Sequence, residues 1–267
     1  MSLIRVHGVQ LEVHQIEAAV SEPRRSPIVF LHEGLGSVAM WRDWPMQVCA
    51  ATERSGVVYS RRGYGQSDPV PDARAASADR GGLRVGRLQP DYMHLEAWET
   101  LPELLRVLQI DKPVLLGHSD GASIALLYAS RYPVPACIVL APHVIVEDIS
   151  VRSIAQARTA FESGDLRERL ARYHADVDCA FWQWNDIWLD PAFRNFDIRA
   201  DCQRVSASLL AIQGIDDAYG TMQQIEQIST SNGNITLQKL EHCGHSPHRD
   251  QTALTTQLIA DFLASVE

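Results

Sequence analysis

The chain has 267 residues, of which 46% are hydrophobic and 21% charged. This is the composition of a globular protein, which excludes a disordered, collagenous or fibrous one. Asp and Glu number 33 against 24 Lys and Arg, a formal net charge of −9, and such a field repels phosphate backbones and anionic lipid. Neither a nucleic acid nor a membrane is therefore an expected partner. The length suits one large domain, or one domain with a substantial insertion. The longest apolar runs, 138–141 and 124–129, are core-sized and too short to span a bilayer. The first ten residues hold no apolar signal region, so no secretory leader is expected. Cys49, Cys137, Cys179, Cys202 and Cys243 are scattered and form no C-x-x-C pair. That spacing points to reduced thiols in a cytoplasmic protein, with neither a disulfide framework nor a metal site.

In chain order, alternating runs at 4–6 and 11–16 predict a hairpin turning at His7-Gly8. Residues 27–32 (PIVFLH) then form a continuous β-branched and aromatic run, the kind buried on both faces of a sheet. Similar runs recur at 56–60, 113–117, 136–141, 208–213 and 235–240. Helical patterns separate most of them, over 39–52, 92–108, 119–131, 221–229 and 251–264. In the last, Leu254, Leu258, Ile259, Phe262 and Leu263 make one apolar stripe. Such alternation predicts an α/β protein with a mostly parallel sheet of about eight strands flanked by helices. Two stretches depart from the rhythm. Residues 69–88 read as a long surface loop. Residues 147–205 exceed a single crossover and hold helix-like pieces at 151–163 and 165–179, followed by Phe181, Trp182, Trp184 and Trp188. We read 147–205 as a helical lid inserted into a core of 1–146 and 206–267, with Trp182, Trp184 and Trp188 lining a substrate pocket.

The chemistry gathers in three separate segments. Gly117-His118-Ser119-Asp120-Gly121 is a G-x-S-x-G motif between a buried strand and a helix. A nucleophile on so sharp a turn needs small neighbours two residues to either side, and the helix N-terminus favours a developing oxyanion. A serine nucleophile needs a base, and the base an orienting acid. Asp216 and Asp217 follow the strand at 208–213, and His242, His245 and His248 follow the next. The C-terminal ends of parallel strands are where sites form. Among these, His245 before a helix and Asp217 are favoured, with Asp216 the alternative acid. Another strand ends at His32-Glu33-Gly34-Leu35-Gly36, where the Gly34 and Leu35 N–H groups are candidates to complete an oxyanion hole with that of Asp120.

Taken together, the sequence resembles the α/β-hydrolase superfamily in its lid-bearing form. The resemblance rests on His32-Glu33-Gly34, Ser60-Arg61-Arg62-Gly63-Tyr64-Gly65-Gln66-Ser67, the Ser119 elbow, Gly214-x-x-Asp217 and Gly244-His245-x-Pro247. It implies Ser119 as nucleophile, His245 as base, Asp217 as acid, and no cofactor. Two positions depart from the family pattern. Glu33 replaces a common glycine and is expected to turn into a hydrogen-bonded setting away from substrate, and Ser60 stands where relatives often carry Asp. Serine at 119 excludes relatives that use an aspartate nucleophile. The expected activity is cleavage of a carboxylic ester of a small hydrophobic or aromatic substrate through an acyl-enzyme. Carbon–carbon bond hydrolysis in aromatic-ring metabolism, with Arg61, Arg62 or Arg158 holding a substrate carboxylate, is the nearest alternative. A ligand receptor with a near-silent triad is the alternative of another class. Monomer and homodimer both remain open.

Overall fold

The computed structural model describes residues 1–18 and 25–266. The N-terminal hairpin is β1 (Ser2–Val6) and β2 (Val9–Ile16), followed by β3 (Ile28–Leu31), α1 (Trp44–Thr52) and β4 (Gly56–Tyr59). Where a loop is expected at 69–88, a small separate hairpin forms from β5 (Ala78–Arg80) and β6 (Leu83–Val85). Next come α2 (Tyr92–Leu95), a π-helical turn (Glu96–Thr100) and α3 (Leu101–Val107), nearly matching one expected helix. The centre of the molecule is β7 (Val114–His118), α4 (Asp120–Ala129) and β8 (Ala136–Leu140). Between β8 and the next sheet strand lie α5 (Asp148–Ser163), α6 (Leu166–Leu170), α7 (Val177–Trp188) and α8 (Arg199–Cys202). The helix expected over 165–179 is interrupted: Asp176 caps a new one, its carboxylate accepting from the Cys179 N–H at 2.9 Å. The chain ends with β9 (Ser208–Gly214), α9 (Gln223–Glu226), β10 (Ile235–Leu240), α10 (Pro247–Asp250) and α11 (Thr252–Ser265).

Eight strands form one sheet in the order β1-β2-β4-β3-β7-β8-β9-β10. The pairings of β2 with β1 and β4 are antiparallel and all others parallel. Every residue of β3, β4, β7 and β8 is buried, as continuous apolar strands covered on both faces should be. Successive side chains alternate between two cores. Val29, Leu31 and Leu115 face the side of α3 and α4, while Ile28, Phe30 and Leu116 face that of α1 and α11. The apolar stripe of α11 delivers Ile259, Phe262 and Leu263 to the second core. With β3, β7, β9 and β10 parallel, their C-terminal ends open onto one edge of the sheet. The loops carrying residues 32–36, 119, 217 and 245 therefore meet there.

Candidate active site

The turn from β7 into α4 places Ser119 at φ 54 and ψ −120, a backbone region a non-glycine residue occupies only when its surroundings impose it, at roughly 1–3 kcal/mol. The surroundings are the two flanking glycines. A Cβ on Gly117 would strike the Gly121 backbone, and one on Gly121 would strike the carbonyls of Leu31 and His32. The helix start thus packs directly against the end of β3. This contact sets the first turn of α4 against the start of the 32–36 loop.

Ser119, His245 and Asp217 meet in one hydrogen-bonded chain. Ser119 Oγ lies 2.9 Å from His245 Nε2, and His245 Nδ1 lies 2.9 Å from each carboxylate oxygen of Asp217. The acid at the imidazole is Asp217; Asp216 is exposed. Asp217 in turn accepts from the Tyr219 N–H at 2.8 Å and from Gln213 Nε2 at 3.1 Å. Burial alone raises its carboxyl, but the His245 hydrogen bond, the imidazole charge and the Tyr219 amide outweigh it and hold it below the usual carboxylate range. His245 is flanked by the rings of Tyr219 (4.8 Å between centroids), His118 (5.1 Å) and His143 (5.7 Å). His118 also bonds the His245 carbonyl through Nε2 at 2.7 Å. Burial, first among the causes, lowers His118 to about 4 and His143 to about 3. Both are therefore neutral at pH 7 and add no charge beside the His245 imidazole. His242 sits at φ 52 just past β10, and His248 lies in α10.

In the loop after β3, the turn bond runs from the Gly36 N–H to the Glu33 carbonyl at 3.1 Å. It leaves the N–H groups of Gly34 and Leu35 to other acceptors. The path of this loop is fixed by Arg61. Its guanidinium donates to the carbonyls of His32 at 2.5 Å and Glu33 at 2.9 Å, and one of its nitrogens lies 3.9 Å from Asp120 Oδ2. His32 accepts the Arg61 N–H at 3.0 Å. The same Asp120 oxygen accepts from the Tyr92 hydroxyl at 2.6 Å. Burial raises the Asp120 carboxyl, with Arg61 and Tyr92 opposing. Glu33 turns toward α10 and pairs with Arg249 at 3.2 Å. Burial would raise its carboxyl, but His118, once protonated in acid, together with Arg249 and His245 leaves it lowered.

The segment between β8 and β9 closes over this loop. His174 Nε2 donates to the Leu35 carbonyl at 3.0 Å while its Nδ1 accepts the Gly65 N–H at 3.0 Å. Gly34 lies directly under the Trp184 indole, with no room for a Cβ. Trp188 packs on His143 at 4.8 Å and on Phe193 at 5.0 Å. Trp182 is placed elsewhere: its ring lies between Arg74 (3.7 Å) and Arg158 (5.4 Å). Arg158 also pairs with Glu162 at 3.1 Å. Sequence reasoning passed over His174, Tyr92, His143 and Tyr219, because none belongs to a local pattern that sets it apart from a core residue.

The Alpha/beta hydrolase family model matches residues 28–257. A protein named "Putative carbamate hydrolase RutD" from Variovorax paradoxus (strain S110) is 25% identical, over 92% of this chain and 95% of its own length. Among solved structures, a thermophilic esterase from Thermogutta terrifontis superposes with a TM-score of 0.70 at 17% identity, covering 100% of this chain and 99% of that one. A meta-cleavage product hydrolase from Pseudomonas fluorescens IP01 superposes with a TM-score of 0.66 at 15% identity, covering 100% and 98%. The sheet order and the matched span together lead to one conclusion: the chain belongs to the alpha/beta hydrolase family.

Proposed function

We propose that the protein is a serine hydrolase that cleaves a carboxylic ester of a small hydrophobic or aromatic substrate through an acyl-enzyme. The observation that carries this reading is the unbroken chain of 2.9 Å contacts from Ser119 Oγ through His245 to Asp217. In this reading Ser119 Oγ attacks the ester carbonyl as its proton passes to His245 Nε2, and Asp217 stabilises the imidazolium that forms. The Asp120 N–H, with that of Gly34 or Leu35, holds the oxygen that becomes negative. The tetrahedral intermediate collapses, His245 returns its proton to the departing alkoxide oxygen, and the alcohol leaves. Water, deprotonated by the same imidazole, then attacks the acyl-enzyme and releases the acid.

Residues 147–205 act as a lid in this scheme, with Trp184 and Trp188 supplying aromatic surface over the site. The test is turnover of 4-nitrophenyl esters together with labelling by a fluorophosphonate. Ser119→Ala should lose both while keeping its circular dichroism spectrum and melting temperature. Undiminished hydrolysis by that variant would refute the assignment. An aryl carbamate and a ring-cleavage dienoate belong in the same panel, and turnover of the dienoate alone would replace the ester reading by carbon–carbon hydrolysis.

A further inference from the structure

A cavity of about 700 Å³ lies among the β5–β6 hairpin, the β1–β2 hairpin and the helical segment 92–106. It has the size of an ordinary small-molecule site, and Ser119, Asp217 and His245 take no part in its walls. Val9, Leu11, Leu83 and Val85 give it an apolar surface. Most charged groups in the lining are already matched. Glu96 accepts the Tyr59 hydroxyl at 2.7 Å, Glu99 pairs with Arg84 at 3.5 Å, Glu103 with Arg106 at 2.7 Å, and Arg61 lies 3.9 Å from Asp120.

Two arginines of the lining, Arg87 and Arg62, form no carboxylate ion pair among the described residues; Arg87 is exposed, with its Nε donating to the Arg74 carbonyl at 3.0 Å, whereas Arg62 is half-buried. One terminal nitrogen donates to the Arg84 carbonyl at 2.6 Å, and its Nε is buried without an acceptor. The acid whose charge reaches it, Asp68, is bonded to the Gln10 N–H at 2.8 Å. Tyr64, 3% exposed, closes the wall behind it, with its ring against the Arg61 guanidinium at 5.1 Å. A half-buried guanidinium beside apolar walls, with no carboxylate to balance it, is costly unless something in the cavity accepts from its remaining donors.

We propose that this cavity is a second ligand site, separate from the Ser119 centre, for an amphipathic monocarboxylic acid with an aliphatic or aryl body. The carboxylate is held by the Arg62 guanidinium, and the body lies on Leu11, Leu83 and Val85. Because the readout is binding, its outcome is independent of whether the protein hydrolyses esters. The experiment is calorimetric titration of the intact protein with 4-phenylbutyrate and hexanoate, against 4-phenylbutanol and hexanol. Hydrogen exchange then locates the occupied segment.

One acid should bind per chain, at least tenfold more tightly than its alcohol, with protection at 83–88 and 95–106. Arg62→Gln should weaken the acid at least tenfold, Arg62→Lys less, and Val85→Trp should remove binding by filling the cavity. Arg158→Gln, on the far side of Trp182, should change nothing. Equal affinity for acid and alcohol, or an unchanged Arg62→Gln, would overturn the proposal. So would protection confined to 177–188 and 242–248, which would put the acid at Ser119. Should Arg62→Gln fail to fold, Arg62→Lys and Val85→Trp decide the matter.

Discussion

The ends of β7, β9 and β10 and the β5–β6 hairpin are built in contrasting ways. At the strand ends, one imidazole is fixed by Ser119 on one nitrogen and Asp217 on the other, and three aromatic rings enclose it. The hairpin has three-residue strands, with β5 exposed throughout, and its Arg80–Asp72 pair at 3.3 Å stands in solvent. Fixed geometry is thus concentrated where the proposed chemistry needs fixed distances. The segment covering the side cavity is the more exposed of the two, and exposed segments are the better suited to moving around an occupant. A site can be precise or accommodating, and here the two are separated by a wall of Arg61 and Tyr92.

The contrast can be broken in order of effect. Asp217→Asn should leave the fold intact and lower kcat on an activated ester by about 10³–10⁴-fold, as loss of the orienting acid does in serine proteases; a loss under tenfold would show that Asp217 is not the orienting group. Gly121→Ala forces a methyl into the Leu31 and His32 carbonyls. It should cost about 3 kcal/mol or more, read as a fall in melting temperature of roughly 6–12 °C.

Acid comes next. His118 and His143 have folded values of about 4 and about 3, below the ordinary 6.5. Above pH 6.5 both are neutral whether the chain is folded or not, and stability is complete. Below it the unfolded chain takes up protons that the fold excludes. Each of the two then costs about 1.4 kcal/mol per pH unit until its own folded value is reached. Denaturant midpoints at pH 7, 6, 5 and 4.5 measure this, and His143→Asn should flatten the slope. The smallest effect belongs to the hairpin: Arg80→Ala should shift stability by no more than about 1 kcal/mol, because the pair it removes is exposed and screened.

The elbow, the parallel strands and the order of the three site segments were legible because each is dictated locally, by glycine spacing or by unbroken apolar runs. Asp217 over Asp216 was legible only through its place after Gly214. Three features were harder to read, each for a physical reason. The β5–β6 pairing hides in a Gly- and Arg-rich stretch with no apolar alternation. His174 acts through a contact with Leu35, 139 positions away. Trp182 was grouped with Trp184 and Trp188 by proximity in sequence, yet helical spacing separates them. Trp184 and Trp188 are four apart and share a face, while Trp182 is two from Trp184 and points about 200° away, toward Arg74 and Arg158.

The indole of Trp184 resting on Gly34, with Ser119 only 6% exposed, has a consequence in time. If α7 acts as the lid proposed above, substrate enters only when it moves aside, a movement of the microsecond-to-millisecond kind. In that scheme, however quickly bonds are made and broken beneath it, the opening of α7 sets a ceiling on throughput. A bulkier residue at position 34 would change how often α7 stands open before it changed anything about the chemistry behind it.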